Sequence, residues 1–346
     1  MKLHTRTAKS LMWILPLVLL LAASAAVAQD TSPLRPGTEL KIEGAVAFTE
    51  GPAWHPSGNV YFTEIVGNRI MRRDPTGVMH VYRQPSGRAN GLAFDRQGRL
   101  IACEGGGEGG NRRVTRTEAN GTITVLADRY EGHRFNSPND LVVDSNNRIF
   151  FSDPRYGDRT DVEMVDESGR PIEGVYRIDD GAQVMRIITH QVARPNGLAI
   201  TADRRVLYVA DNVNDGAEGV GGARKLWRFE LTPGGDIVPE SQHLVFDWGT
   251  DRGPDGMAMD RAGRLYVAAG FNKPNPPAET AEKYKAGVYI ISPDGELLDF
   301  VPVPEDMVTN CTFGGDDLQT LFITAGHKLW SVRANTPGVV TWLPPQ

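Results

Sequence analysis

The chain has 346 residues, a formal net charge of −6 and two cysteines. An acidic chain is not expected to bind nucleic acid, whose phosphates attract basic surfaces. Two cysteines, Cys103 and Cys311, give no disulfide framework, and we expect both thiols to be buried and unpaired. The 38 glycines and 23 prolines favour a fold with many turns and short strands.

The first 28 residues have the pattern of a secretory signal peptide. Lys2, Arg6 and Lys9 precede an apolar run without acidic residues. Ala26 and Ala28 then form a small-residue cleavage site. We therefore expect cleavage after Ala28, a mature chain with a net charge of about −9, and a secreted or periplasmic protein. An uncleaved anchor is the alternative. No later apolar run is long enough to span a membrane, so we expect no membrane contact after cleavage.

Six similar phrases follow one another along the rest of the chain. Each joins a short apolar run, a polar turn such as D-x-x-G, and an alternating apolar run. Two β-rich runs around such a turn predict a hairpin. The phrases start 40 to 59 residues apart, which suits four-stranded propeller blades with loop insertions. The six phrases are EGPAWHPSGNVYFTE, NGLAFDRQGRLIACE, NDLVVDSNNRIFFSD, NGLAITADRRVLYVAD, DGMAMDRAGRLYVAAG and NCTFGGDDLQTLFITAG.

These repeats predict an all-β fold, a six-bladed β-propeller, over residues 40–346. Residues 29–39 are expected to form an N-terminal linker. The sequence of this region shows no sustained helical period. An open β-solenoid is the alternative, but its coils are shorter and more even in length.

The first residue of each phrase carries a carboxylate or amide oxygen. If each phrase begins the strand nearest the propeller axis, all six side chains converge at one end of the central channel. Two carboxylates among neutral oxygens suit a divalent hard cation, above all Ca²⁺, whereas Zn²⁺ normally recruits His or Cys. Repetition of a turn-forming Asn without a function is the alternative. The six positions, which we call the oxygen column, are Glu50, Asn90, Asn139, Asn196, Asp255 and Asn310.

The motifs EGPAW, RFNSPNDLVVD, RPNGLA and GPDGMAMD occur in that order along the chain. With them, residues 40–335 resemble the gluconolactonase, or senescence-marker-protein-30-like, hydrolase family. The resemblance implies a six-bladed propeller with one catalytic divalent metal, usually calcium; Mg²⁺, Mn²⁺ and Zn²⁺ are alternatives. Diisopropyl-fluorophosphatase-like enzymes share the ligand set, so the substrate stays open. The metal ligands that the resemblance implies are Glu50, Asn139, Asn196 and Asp255.

The sequence supports one class of chemistry, metal-assisted hydrolysis. It contains no G-x-S-x-G elbow, no P-loop, no dinucleotide fingerprint and no paired histidines. Together with the resemblance, this predicts a calcium-dependent lactonase that opens a sugar lactone such as glucono-1,5-lactone to the hydroxy acid. Asp255 is the expected catalytic residue, as a base toward water or as a direct nucleophile. The expected substrate contacts are Asn90, Arg134, Asn139 and Asn310.

Two other functions stay open. One is a metal-dependent phosphotriesterase or esterase that uses the same site, and the other is a non-catalytic propeller that binds a protein or glycan. The second strand of each hairpin is expected to return acidic residues to the same end of the channel as a second shell, in which Asp140 and Asp153 would orient Asn139 or a neighbouring water. Plain solvent-facing loop acids are the alternative. An acidic rim at this end would disfavour anionic substrates. The expected rim residues are Glu64, Glu104, Asp153 and Asp211.

Overall fold

The structure, a computed structural model, describes residues 32–179, 183–214 and 221–343. The predicted signal peptide therefore lies outside the described residues. All the residues described here belong to one unit, Ser32–Gln346. The regular secondary structure of these residues consists of β-strands, and no α-helix occurs among them. Within the described ranges, no helix has the length and apolar character that a membrane span requires.

The described strands form six four-stranded antiparallel sheets, the blades, and one two-stranded hairpin. Strand β1 (Lys41–Ala45) comes first in the chain but belongs to the last blade. Blade 1 contains β2 (Thr49–Trp54), β3 (Val60–Glu64), β4 (Arg69–Arg73) and β5 (Met79–Arg83). Blade 2 contains β6 (Ala89–Phe94), β7 (Leu100–Glu104), β8 (Arg113–Thr117) and β9 (Ile123–Ala127). The hairpin is formed by β10 (Arg129–Tyr130) and β11 (His133–Arg134).

The remaining blades follow the same order. Blade 3 contains β12 (Leu141–Val143), β13 (Ile149–Asp153), β14 (Gly174–Ile178) and β15 (Val184–Ile188). Blade 4 contains β16 (Pro195–Ile200), β17 (Val206–Asn212), β18 (Arg224–Glu230) and β19 (His243–Asp247). Blade 5 contains β20 (Met257–Met259), β21 (Leu265–Ala269), β22 (Gly287–Ile291) and β23 (Leu297–Pro302). Blade 6 contains β24 (Val308–Gly314), β25 (Thr320–Ala325), β26 (Lys328–Arg333) and β1.

The innermost strands of the six blades form a closed ring. Each contacts the innermost strand of the next blade, in the order β2, β6, β12, β16, β20 and β24, and β24 returns to β2. The six-bladed propeller predicted from the repeats is therefore confirmed. Each of the six predicted hairpins consists of the two innermost strands of one blade, and the polar turn of the phrase connects these two strands.

Blade 6 is closed by the two ends of the propeller. Strand β1 pairs antiparallel with β26, with Lys41 opposite Ser331 and Ile42 opposite Trp330. This pairing makes β1 the outermost strand of a blade whose other three strands come from the end of the chain. The sequence repeats gave no sign of this pairing, because β1 lies outside all six phrases.

The strands become more exposed to solvent with distance from the propeller axis. Every residue of β7, β13 and β21 is buried, because these second strands have neighbours on both edges and packed blades on both faces. The outermost strands β5 and β23 are partly exposed. The apolar core lies between adjacent blades, and it includes Cys103 and Cys311. Both thiols are buried and unpaired, as the sequence predicted.

Candidate functional site

The oxygen column lies at one end of the innermost strands. The backbone N–H of Asn139, just before β12, donates to the Ser152 carbonyl (2.9 Å). The N–H of Asp255, just before β20, donates to the Ala268 carbonyl (2.8 Å). Five of the six column residues are buried, and Asn90 is half-buried. The four that lie within strands, at or near the start of β2, β6, β16 and β24, are Glu50, Asn90, Asn196 and Asn310.

Backbone contacts between blades bring the column together. The N–H of Gly91 donates to the Asn139 carbonyl (2.7 Å), and the N–H of Gly197 donates to the Asp255 carbonyl (3.1 Å). A Cβ at Gly197 would overlap that carbonyl oxygen, so only glycine allows the close approach. The pairing of β2 with β3 shifts register directly after Glu50, and such bulges re-aim side chains next to functional sites.

Asp140 occupies the position that four other blades fill with glycine. Its carboxylate accepts the N–H of Leu198 from blade 4 (3.0 Å) and the Asn310 amide from blade 6 (3.4 Å). Asp140 therefore bridges the channel beneath the column. The sequence indicated Asp140 as a residue that orients Asn139 or a water, but it did not predict the contacts with Leu198 and Asn310, because these depend on the closed ring of blades.

Three buried carboxylates lie in this part of the channel. Burial raises the pKa of Glu50 well above its ordinary value, and the charge of Asp255 raises it further. Burial also raises the pKa of Asp140 to about 7 and that of Asp255 above its usual range. Arg252 counteracts only part of the shift at Asp255. A bound cation would relieve this repulsion, because converging buried anions are costly without one.

Arg252 holds one oxygen of the Asp255 carboxylate. Its Nη2 donates to Asp255 Oδ2 (2.9 Å) and its Nη1 to Glu279 Oε1 (3.2 Å). The guanidinium also lies over the ring of Phe271, 5.3 Å from the centroid. The sequence analysis missed Arg252, although it stands three residues before Asp255. Because Oδ2 is engaged, Oδ1 is the Asp255 oxygen with the greater freedom to meet a ligand.

Tyr156 orients the amide of Asn196. The amide nitrogen of Asn196 donates to the Tyr156 hydroxyl (3.0 Å). The hydroxyl in turn donates to the Asn212 carbonyl (3.1 Å). The nitrogen of Asn196 is therefore directed to Tyr156, which leaves its carbonyl oxygen for a ligand. The Asn196 amide also lowers the pKa of Asp255. Tyr156 lies outside the repeated phrases, so no pattern in the sequence pointed to it.

A pocket of about 340 Å³ opens beside Asn90 and Asn139. The side-chain amides of both residues have no hydrogen-bond partner among the described residues, so they are available to a bound molecule. Tyr156 lines the same pocket and connects it to Asn196. Arg88 also forms part of the wall. The pocket therefore joins the oxygen column to a space large enough for a small molecule.

The channel continues on the far side of Asp140 and Asn310 as a separate cavity of about 120 Å³. It is lined mainly by apolar side chains of the innermost strands and by residues 339–342. The Thr341 hydroxyl donates to the Val143 carbonyl (2.6 Å), which holds this segment across the channel. Asn310, a predicted substrate contact, lines this cavity and not the 340 Å³ pocket.

Arg134, another predicted substrate contact, is not brought to the pocket. It lies in the β10–β11 hairpin, and its guanidinium donates to the Asn111 carbonyl (3.3 Å). The arginines that do line the pocket are Arg88 and Arg155. Neither was predicted, because both stand in loops outside the repeated phrases.

The acids at the ends of the second strands support the loops around the column, as a second shell would, but they do not form an exposed rim. The acids at the ends of the second strands are buried, and each is bonded to the protein. For example, Glu64 accepts from the Arg69 guanidinium (2.9 Å), and Asp153 accepts from the Asn136 N–H (2.8 Å). They hold neighbouring loops in place and do not face a substrate. The four acids are Glu64, Glu104, Asp153 and Asp211.

A metal at this site would need amide oxygens as well as carboxylates. Among the described residues, no three His, Cys, Asp or Glu side chains are grouped so that they could hold a metal ion. Two carboxylates, Glu50 and Asp255, lie close enough for the charge of Asp255 to raise the pKa of Glu50, and the Asn196 amide lowers the pKa of Asp255. This donor set of oxygens alone fits a hard cation.

Comparison with known proteins identifies the family. A gluconolactonase from Zymomonas mobilis is 30% identical over 320 residues, covering 86% of this chain and 81% of the relative. A pentonolactonase from Haloferax volcanii is 27% identical over 289 residues, covering 82% and 83% of the two chains. The structure of a gluconolactonase from Xanthomonas campestris is similar with a TM-score of 0.70 and 29% identity, covering 87% of this chain and 91% of that one. Residues 48–327 match the model of the SMP-30/Gluconolactonase/LRE-like region, and the chain therefore belongs to this family.

Proposed function

We propose that this protein is a divalent-metal-dependent lactonase, with Ca²⁺ as the metal, that hydrolyses a sugar lactone to its hydroxy acid. The related lactonases support a hydrolase that acts on lactone esters. One observation carries the proposal for the site: the unpartnered amides of Asn90 and Asn139 line a pocket of about 340 Å³. Tyr156 in the pocket wall bonds Asn196, which belongs to the same oxygen column as the buried carboxylates of Glu50 and Asp255.

Four oxygen-bearing side chains would hold the metal: Glu50, Asn139, Asn196 and Asp255. Their chemistry favours Ca²⁺ over Zn²⁺, because the set contains neither imidazole nor thiolate. The nitrogen of the Asn196 amide donates to Tyr156, and the carbonyl oxygen of this amide is left for a ligand. When bound, a divalent cation supplies positive charge that polarises a substrate carbonyl and stabilises a developing oxyanion.

Asp255 is the proposed base. Its carboxylate is buried at the site, and a carboxylate beside the substrate can take a proton from an attacking water. Arg252 fixes the carboxylate through Oδ2 (2.9 Å), so Oδ1 is the oxygen that would accept the proton. The amides of Asn90 and Asn139 would orient substrate hydroxyls at the pocket. Direct nucleophilic attack by Asp255 is the alternative path, and it would leave an acyl intermediate.

The test uses protein stripped of metal by a chelator. We expect glucono-1,5-lactone hydrolysis to disappear and to return with Ca²⁺, and we expect Ca²⁺ to raise the thermal unfolding midpoint. Asp255→Ala should lower kcat by about 100-fold or more, the scale of a lost general base. Glu50→Gln should weaken Ca²⁺ binding, measured by calorimetry, at least tenfold. The exposed Asp128→Asn is the matched control and should change neither property.

Full lactone hydrolysis without any divalent ion would contradict the proposal. Turnover of a neutral phosphotriester instead of the lactone would keep the site and change the substrate class. Calcium binding without turnover of either compound would favour a non-catalytic propeller.

Secretion is part of the same proposal. Residues 1–28 would be removed as a signal peptide, and the mature protein would be secreted or periplasmic. N-terminal sequencing of the protein from its native cells tests this, since an intact Met1 would contradict it.

A further inference from the structure

A second pocket lies between blades 1 and 2, at the end of the strands opposite the oxygen column. It measures about 200 Å³ and opens among the turns that join β2 to β3, β6 to β7 and β8 to β9. This volume is below the roughly 300–1,000 Å³ of sites for drug-sized molecules, so it suits a ligand of about one ring. The wall of this turn-side pocket includes His55, Tyr61, Tyr82, Phe94 and Thr117.

Three aromatic rings form one side of the turn-side pocket. The ring of Tyr61 lies 4.9 Å from that of Tyr82 at an interplanar angle of 86°, and 5.3 Å from that of Phe94 at 72°. Tyr82 is 38% exposed, so part of its ring is not covered by the protein. The electron-rich face of such a ring attracts the weakly positive C–H groups of a ligand.

The imidazole of His55 offers a hydrogen-bond donor to the same space. Its Nδ1 accepts the N–H of Ser57 (3.1 Å), which places the proton of the neutral ring on Nε2. Burial lowers the pKa of His55, so the ring is neutral at pH 7. Nε2 adjoins Gly98 in the pocket wall, because a Cβ at Gly98 would lie 2.9 Å from it. Among the described residues this nitrogen has no hydrogen-bond partner, so its N–H is free for a ligand oxygen.

Thr117 adds a hydroxyl whose hydrogen-bonding capacity the protein does not use. Its Oγ1 is buried without a hydrogen-bond partner in the described part of the chain. Burial raises the pKa of Tyr82, and the Thr117 hydroxyl, which opposes this shift, therefore lies near the phenol group. Because a buried hydroxyl without a partner is costly, a ligand hydroxyl that bonds both groups would be favoured.

The charged side chains of the wall are already paired. The guanidinium of Arg99 donates to Asp95 (2.7 Å) and to Glu118 (3.2 Å). Glu118 also accepts from Nε of Arg116 (2.8 Å). Neither charge of the wall is therefore left for a ligand, which favours a neutral molecule over an ion.

We propose that the turn-side pocket binds one neutral sugar ring. A pyranose has C–H groups that pack on aromatic faces and hydroxyls that both donate and accept hydrogen bonds, which matches the tyrosine rings, His55 Nε2 and the Thr117 hydroxyl. An apolar aromatic ligand would leave these two polar groups unmatched. Sugar binding here is independent of the proposed lactonase function, because the turn-side pocket shares no residue with the pocket beside Asn90 and Asn139.

The probe is methyl β-D-glucopyranoside, a neutral glycoside with no lactone to hydrolyse, and its binding to the purified protein is followed by ligand-observed NMR titration. Tyr82→Ala should weaken binding by about 3- to 10-fold through the loss of an aromatic contact. His55→Phe should weaken it by a similar factor, because it removes the Nε2 donor but keeps a ring against Phe94 and Trp342. Val81→Ala is the matched control and should leave binding unchanged, since Val81 is exposed beside Tyr82 but does not line the pocket.

Thr117→Val separates a binding role from a structural one. This change of similar shape should weaken glycoside binding by about 3- to 10-fold. The thermal unfolding midpoint should not fall, because the lost hydroxyl has no hydrogen-bond partner among the described residues. A lower midpoint together with unchanged glycoside binding would overturn the proposal.

Three other results would also overturn it. The first is absence of glycoside binding to the wild-type protein. The second is binding that neither Tyr82→Ala nor His55→Phe weakens, since the sugar would then occupy another site, such as the pocket beside Asn90 and Asn139. The third is binding of p-cresol without binding of the glycoside, which would show that the turn-side pocket accepts aromatic rings and not sugars.

Discussion

Asp153 holds the loop that carries Asn139 into the pocket. Its two carboxylate oxygens accept the N–H of Asn136 (2.8 Å) and the N–H of Ser137 (2.7 Å). Ser137 lines the pocket, and Asn139 follows two residues later. A buried acid at the end of β13 therefore sets the path of a segment that is proposed to bind both metal and substrate.

We predict that Asp153→Asn lowers stability by about 1–3 kcal/mol, because an amide can accept only one of the two loop hydrogen bonds and buries an unmatched N–H₂ group. Lactone hydrolysis should fall with it as the loop loosens. Urea unfolding and a kinetic assay measure the two effects, with the exposed Asp128→Asn as control. Unchanged stability would show that the carboxylate does not hold the loop.

The same residue gives a pH dependence. Burial raises the pKa of Asp153 to about 7, although the two N–H donors oppose the shift. Between about pH 4 and 7 the folded protein then binds a proton that the unfolded chain does not, so this group favours folding as the pH falls. The stability advantage of wild-type over Asp153→Asn should therefore grow from pH 7 to pH 4 in urea unfolding. A constant difference would contradict the raised pKa.

The sequence predicted which residues form the column but not how they are held. The column could be predicted because each member repeats at the same place in a phrase. Arg252 and Tyr156 could not, since their roles depend on contacts with Asp255 and Asn196 that no repeat records. Arg134 was predicted from its motif neighbours, yet local sequence does not show which loop faces the pocket, and Arg88 lines it instead.

At the scale of the strand pair, three hairpin turns contain the same kind of Asp–Arg ion pair, which we call the clamp. In each, an Asp at the turn accepts backbone N–H groups through Oδ1 and an Arg four residues later through Oδ2, with 2.7 Å to the Arg Nε. The clamp closes the turn and gives the buried carboxylate of the Asp a positively charged partner. The three pairs are Asp95 with Arg99, Asp144 with Arg148, and Asp260 with Arg264.

We predict that the clamps differ in strength with burial. The side chain of Arg148 is 10% exposed against 24% for Arg99, and Arg148 also donates to the Pro233 carbonyl (3.0 Å). Arg148→Met should cost about 3–5 kcal/mol because it leaves a buried carboxylate unpaired. Arg99→Met should cost less, since the guanidinium of Arg99 is the more exposed of the two and its ion pair with Asp95 is therefore more strongly screened by water.

Urea unfolding of both variants measures the difference. Arg96→Met, at an exposed position of the same turn as Arg99, is the control and should remain within about 0.5 kcal/mol of wild-type. Equal losses for Arg148→Met and Arg99→Met would show that burial does not set the strength of the clamp.

The two innermost strands of every blade were predictable, whereas the outer ones were not. The inner hairpins carry the repeated phrase, in which turn residues and apolar runs agree. The third and fourth strands differ between blades in sequence and in the length of the loops before them. Their partial exposure also weakens the apolar pattern that would reveal them, as in β5 and β23.

For the whole molecule, the closure of blade 6 by β1 joins the two ends of the ring. We predict that a chain starting at Val46 unfolds at lower temperature than one starting at Gln29, because it loses β1 and exposes the edge of β26. An open edge of this kind also promotes association between chains. Calorimetry and light scattering measure the two effects, and an unchanged midpoint would show that β1 adds nothing to the ring.

The same pairing has a consequence during synthesis. Strand β1 is made early, but its partner β26 follows roughly 280 residues later, which at about 5–20 residues per second is a delay of roughly 15–60 s. For that time β1 has no strand to pair with, and blade 6 cannot be completed. Each new molecule therefore passes through a stage in which blades 1 to 5 have all their strands, whereas β1 is still unpaired because β26 has not been synthesised.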